Sequence, residues 1–316
     1  VLDVRGVKEP DPGTSRRGWP QVVALLAVTL VVSVFQPSVL IAVAFLTLAL
    51  VFGVRRLAVV AAAGLAALIV AGGARDGIWY VERGWAVLSA GCFAALTLVR
   101  PGATFSHRAL RAVSAAGLVA ALVLGARRDA WGAVDSAVRY RMSEGVAMAM
   151  EAVRLLRGDQ ALPQALVTAI YETVEAQALV FPALVGVATM AALGVAWWVY
   201  VRLSAGSDQG LGPLREFRFS DHLVWVFIGG LVLVLGRWGD AVARVGANAV
   251  VFMGALYGLR GAAVIVFLSG GLSLFGYVLL VFGLIFVPPV VVAGAMVIGI
   301  GDTWLDVRSK SGSLAA

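Results

Sequence analysis

The sequence predicts an all-α fold: a polytopic transmembrane helical bundle of about eight to ten spans, with one amphipathic helical connection that does not span. Three observations predict it. Hydrophobic residues make up 61% of the chain and charged residues 14%, against about 25% charged in a soluble domain, and the mean hydropathy is +0.94. So few charges cannot cover a water-facing surface, so most of the surface faces lipid. The apolar residues come in continuous runs rather than in the alternation of barrel strands, and within lipid only helices or closed barrels satisfy every backbone group. The basic residues sit singly or in pairs at the ends of those runs, as the positive-inside rule requires.

Residues 1–18 are polar, with Pro10, Pro12 and Gly13, and read as a disordered cytoplasmic tail. Apolar segments follow at about 20–36, 37–54, 56–73, 84–99 and 109–126 and form an N-terminal transmembrane region, 19–126. A connection spans 127–178. A C-terminal region, 179–308, holds segments at about 179–201, 221–237, 245–268, 271–287 and 288–303, and 309–316 is a second disordered tail. The divisions at Pro37 and at Pro288-Pro289 are either turns or kinks, which leaves the count between eight and ten. The first apolar stretch runs straight into the second without a small-residue cleavage site, so no cleavable signal peptide is expected. The halves show no internal repeat of the kind that inverted-repeat transporters carry.

The net charge of +7 is almost entirely arginine, with Lys8 and Lys310 the only lysines. Scattered at segment ends, it is not a nucleic-acid footprint. With the first residues inside, Arg16, Arg17, Arg55, Arg56, Arg100, Arg108, Arg111, Arg202, Arg215, Arg218 and Arg308 all fall on cytoplasmic pieces. The short external loops then keep only Arg75, Arg83, Arg237 and Arg244. Both ends of the chain are therefore expected in the cytoplasm, and the arginine-, alanine- and glycine-rich composition points to a bacterial cytoplasmic (inner) membrane. Trp19, Trp85, Trp131, Trp225, Trp238 and Trp304 lie near segment ends, where an indole ring stays apolar and its N–H stays wet.

Within the connection, Val134, Val138, Met142, Val146, Ala149, Val153 and Leu156 recur every three or four residues as one apolar stripe. Asp135 can pair with Arg139 one turn on. This helix lies on the membrane or packs across the bundle. Gln164, Thr168, Glu172 and Glu175 make a polar stripe that either lines a cavity or faces solvent.

Arg260 is the main anomaly in the C-terminal region. It falls inside an apolar segment, where a centred arginine costs about 2.5–3.5 kcal/mol on insertion scales. It either pairs with a carboxylate, with Asp302 and Asp240 as candidates, or binds an anionic ligand, or snorkels past a helix break near Gly258 and Gly261. Asn248 offers an interhelical hydrogen bond, worth about 0.6 kcal/mol on average, or a ligand contact. Ser220 or Asp221 suits an N-cap. Asp302 and Asp306 share a helical face and form either a docking surface or a polar helix end. Without a nearby histidine they make a poor metal site. Gly254 to Gly258 is a small-xxx-small pattern that permits close helix packing. Cys92, the single cysteine, is read as a small buried apolar residue.

Three C-terminal stretches carry a family likeness: Phe217-Arg218-Phe219-Ser220-Asp221, Asn248 followed by Tyr257 to Gly261, and Gly301-Asp302-Thr303-Trp304-Leu305-Asp306-Val307-Arg308. Over roughly residues 180–310 they resemble the YybS-like family of predicted bacterial membrane proteins, a family of unknown function. The first half is similar to that family only in hydropathy. Arg260 stands where the family pattern more often has a neutral polar residue, and the closing motif is slightly compressed. The resemblance implies a distant architectural kinship to the substrate-binding subunits of energy-coupling-factor transporters, which is an analogy of fold and not of substrate.

No Walker-type Gly-Lys-Ser loop, His-Glu-x-x-His or Gly-x-Ser-x-Gly occurs. The chain is therefore expected to be non-enzymatic and to need no cofactor. The leading expectation is a small-solute binding or transport subunit, with Arg260, Asn248 and Tyr257 at its ligand site and any energising ATPase or coupling module on a separate chain. The alternative is a membrane scaffold for envelope-assembly or division proteins that docks through Arg218, Asp221, Asp302, Trp304, Asp306 and Arg308. A weaker alternative is an intramembrane enzyme acting on lipid-linked substrates through Glu172 and Glu175.

Overall fold

The computed structural model describes residues 19–53, 56–73, 75–127, 129–157, 164–204, 210–236, 238–269, 276, 287–306 and 308. The expected tails at 1–18 and 309–316, and the expected segment at 271–287, lie outside these residues apart from Gly276 and Val287. The described residues form eleven α-helices and two 3-10 turns, with no strand among them. In order the helices are α1 (Trp19–Val32), α2 (Pro37–Phe52), α3 (Leu57–Ala71), α4 (Gly77–Val99), α5 (Phe105–Gly125), α6 (Ala130–Arg157), α7 (Gln164–Leu179), α8 (Phe181–Leu203), α9 (Val224–Leu235), α10 (Asp240–Leu268) and α11 (Pro288–Leu305). The fold is an all-α bundle.

By length and composition α5, α8 and α10 can each cross a membrane, and α1, α2 and α3 are shorter apolar helices. Prolines set two of the boundaries. Pro37 opens α2 and Pro288 opens α11, positions where the missing N–H has no helical partner in any case. Both prolines begin helices rather than kink them.

α8 is the central helix. Buried residues fall on all its sides, among them Val185, Ala188, Ala192, Leu193, Ala196 and Trp197. A helix apolar all round belongs inside, and its alanines and glycines let α1, α2, α5 and α10 approach closely. A Trp85 indole N–H from α4 donates to the Thr189 hydroxyl of α8 at 2.8 Å. Trp85 therefore stands inside the bundle and not at its edge, because α4 begins at Gly77, capped by Asp76, seven residues before the expected start. The same shift buries Arg83, which is not an external-loop charge. Arg108 is also buried, its guanidinium over the rings of Trp197 at 4.8 Å and Phe93 at 5.9 Å. Outward residues such as Leu50, Leu57, Leu68 and Leu122 are exposed and apolar, as a lipid-facing surface requires.

The 127–178 connection folds as two helices, α6 and α7. Val138 is buried, and Val134 and Met142 pack on the main core. Val153 is exposed, so the stripe works along the first half of α6 only. Asp135 and Arg139 form the expected pair at 3.3 Å.

The contacts sort the connections into two ends. The α1–α2 turn, the α3–α4 turn, α6 and the α7–α8 corner share one end, linked through Gln36 to Glu82 and through Asp135 to Arg244. The α2–α3 turn, the end of α8, the 211–223 loop and the end of α11 share the other. Tyr200 donates to the Gly53 carbonyl there, and Arg308 donates to those of Arg215 and Phe217.

Candidate functional site

Arg260 lies in an unbroken α10, so of the alternatives for it the helix break near Gly258 and Gly261 does not occur. Its guanidinium is buried. Nε donates to Asp302 Oδ2 at 2.9 Å, Nη1 to Asp221 Oδ1 at 2.6 Å and Nη2 to the Asp302 carbonyl at 3.3 Å. Arg308 Nη2 donates to the same Asp302 oxygen at 2.8 Å. Two cations and two carboxylates balance, and every nitrogen of Arg260 is engaged. An anionic ligand would have to displace a carboxylate, so Arg260 is a cross-link between α10, α11 and the turn before α9 rather than an open ligand site. Asp240, the other candidate partner, is not used.

Several expectations change with this geometry. Asp221 opens a 3-10 turn and its carboxylate receives Arg260; neither it nor Ser220 makes a side-chain cap bond. Asp302 and Arg308 are buried, so they offer no docking surface. Asp306 ends α11 in a left-handed conformation (φ 42°) and accepts from Arg218 at 2.6 Å on the exposed side. Trp304 is exposed on the opposite face from Asp302. Tyr257 is fully buried, its ring against Phe219 at 5.1 Å and Phe227 at 5.9 Å. Its hydroxyl lies against Thr303 without a hydrogen bond of good geometry among the described residues. A ligand could reach Tyr257 only by unpacking this aromatic cluster.

Asn248 is likewise spoken for. Its amide oxygen accepts from the Ala183 N–H at 2.9 Å, and its amide nitrogen donates to the carbonyls of Leu179 at 3.0 Å and Arg244 at 2.9 Å. It adds hydrogen bonds to backbone groups where α7 ends and α8 begins. Arg244, one turn earlier, completes the corner. Nη2 donates to the Ala178 carbonyl and to Asp135, and the guanidinium lies over Trp131 at 5.4 Å and Phe181 at 5.7 Å. Burial raises the Asp135 carboxyl, but the hydrogen bond from Arg244 and the charges of Arg244 and Arg139 outweigh it and hold the group below its ordinary value near 3.8. Glu172 is exposed, and Glu175 pairs with Arg139 at 3.1 Å, so the polar stripe of α7 faces outward.

The close approach of α10 and α11 is made at Gly261 and Gly299. A methyl group on Gly261 would collide with the Ala295 carbonyl, and one on Gly299 with the Tyr257 carbonyl, whereas Gly258 has open space. The Gly254–Gly258 pattern is therefore not the tight contact.

A cleft of about 70 Å³ opens where the α1–α2 turn, the start of α4 and α6 meet. Phe35, Ile78, Trp79, Glu82, Arg83 and Arg141 line it. Arg83 donates to Glu82 at 2.8 Å, to the Val70 carbonyl at 2.7 Å and to the Gly72 carbonyl at 2.8 Å, so it also closes the C-terminus of α3. Sequence reading missed this site. Its signal in the sequence is Arg83 beside Trp79, an arginine expected in an external loop because the apolar segment is expected to begin at 84.

A family of predicted membrane proteins (DUF2232) matches residues 112–303, more than half of the chain. The match begins within α5, well before the residues that carry the motif likeness. Neither a curated protein nor a solved structure matches. The three C-terminal stretches whose motifs carry the YybS-like resemblance all lie in or against the matched region, and their Asp221, Arg260 and Asp302 meet in one cross-link while Asn248 sits at the α7–α8 corner; the chain belongs to this family of membrane proteins of unknown function.

Proposed function

We propose that this chain is a small-solute binding subunit of a bacterial cytoplasmic membrane, with its recognition site in the cleft between the α1–α2 turn, α4 and α6. The observation that carries this reading is an open polar cleft at one end of an apolar bundle. The residues first expected at a ligand site are engaged in holding helices together, whereas in this cleft polar groups meet open space. The arginine-rich end, with Arg56, Arg100, Arg111, Arg202 and Arg215, faces the cytoplasm on the positive-inside rule. The cleft then opens to the outside, the side from which an uptake subunit meets its solute. Any energising ATPase is a separate chain. Drug- and cofactor-sized pockets enclose about 300–1,000 Å³, so a cleft of about 70 Å³ suits a ligand of only a few heavy atoms. This departs from the vitamins taken by the energy-coupling-factor subunits.

Gentle purification of the full chain from its native membrane, with mass spectrometry of retained small molecules, tests the reading. A Val34→Trp variant, which fills the cleft, serves as the control. The expected result is a small metabolite held by the unmodified protein and lost from the variant. Retention by both, or by neither, sinks the proposal.

A further inference from the structure

Resting on the cleft as the solute site, we infer that its ligand carries a single anionic group, a carboxylate or phosphate on a small apolar body, received by Arg141. Each charged group of the cleft can be followed to its partner. Glu82 Oε1 accepts from the Gln36 N–H and Oε2 from Arg83. Arg83 also donates to the Val70 and Gly72 carbonyls. Asp76 accepts from the Trp79 N–H at 2.7 Å as the α4 cap, and the Trp79 indole N–H donates to the Gly72 carbonyl at 3.0 Å. Arg141 is left. It faces Glu82 by charge alone and makes no hydrogen bond or ion pair among the described residues.

Asp76 and Glu82 offset Arg83 and Arg141, so the cleft is neutral overall, and its open charged donor is the Arg141 guanidinium. An ammonium would meet that cation and find both Glu82 oxygens and one Asp76 oxygen already accepting hydrogen bonds. A carboxylate or phosphate would take the planar guanidinium fork in two parallel hydrogen bonds. Val34, Phe35 and Ile78 supply apolar wall for a short carbon chain. The volume admits about five water-sized groups, taking about 15 Å³ of probe space for each. α6 is held in place by its other charges, Asp135 to Arg244 and Arg139 to Glu175. Arg141 is thereby presented over the cleft from a helix with fixed anchors.

The test titrates propionate, propylammonium, propionamide and a short-chain phosphatidylglycerol into the full chain in a non-ionic detergent, read by calorimetry. Propionate or the phosphatidylglycerol is expected to bind, with the other two at least tenfold weaker. Arg141→Gln should weaken that binding at least tenfold and Arg141→Lys less. Val34→Trp should abolish it. Tighter binding of the lipid than of propionate assigns the anion to a headgroup, and the reverse assigns it to a free solute. Preference for the ammonium or the amide, blocked by Val34→Trp, overturns the anion and keeps the cleft. Anion binding indifferent to Arg141→Gln also overturns the inference. If no probe binds, the inference and the solute-binding reading fall together.

Discussion

Asp302 receives Arg260 at 2.9 Å and Arg308 at 2.8 Å on the same carboxylate oxygen, and all three side chains are buried. One acid on α11 thus receives two arginines from different parts of the chain, and Asp221 supplies the second negative charge. In a low-dielectric interior such a pair adds little over a well-packed apolar pair, but losing one member strands the other charge.

Arg260→Ala is therefore expected to cost about 3–5 kcal/mol of stability, the range for breaking a buried pair. A lower thermal midpoint in detergent should report it. Arg260→Lys should recover part of the loss, since an ammonium can keep one carboxylate but not the fork. A variant as stable as the parent would show that the cross-link carries no weight.

Asn248→Ala removes three interhelical and intrahelical bonds at the α7–α8 corner. Hydrogen bonds of this kind in membrane bundles are worth about 0.6 kcal/mol on average and about 1.7 at most, so a loss of about 1–2 kcal/mol is expected. Amide hydrogen exchange at Ala183 should quicken, while exchange in α2 stays unchanged. Slow exchange at Ala183 in the variant would remove Asn248 from the corner.

Gly261→Ala and Gly258→Ala make a matched pair. The first places a methyl group against the Ala295 carbonyl, and the second meets open space. Overpacking costs about 1–3 kcal/mol, so Gly261→Ala should lower the thermal midpoint. Gly258→Ala should leave it unchanged or raise it, because alanine restricts the unfolded chain. Equal effects would contradict the close approach of α10 and α11.

Asp135 gives a pH dependence. Its folded carboxyl lies below the ordinary value near 3.8. The stability it contributes is thus fully present above that value and is lost as the pH falls further, through the folded pKa. Thermal midpoints measured from pH 7 down to about 3 should fall less steeply for Asp135→Asn than for the parent. Identical slopes would mean that Arg244 and Arg139 do not hold this carboxylate.

Much of the helical layout was legible because it depends on local properties. Apolar runs mark helices whose backbone must bond to itself, Pro37 and Pro288 mark starts, and the three-to-four spacing of Val134, Val138 and Met142 marks the inner face of α6. The start of α4 was misplaced because Arg83 reads as an external-loop charge. Nothing local says that carbonyls of α3 will receive that arginine.

The sequence by itself determined an all-helical chain for lipid, the two-ended distribution of its arginines and the oddity of Arg260. Only the tertiary structure decided that Asp302, and not Asp240, answers Arg260, that Asn248 closes a helix corner, and that Arg141 overhangs a cleft. The reason is physical. Helix formation and partition into lipid are fixed by a residue and its near neighbours, whereas the partner of a buried charge is whichever group packing carries to within 3 Å or so, here from 42 residues along the chain.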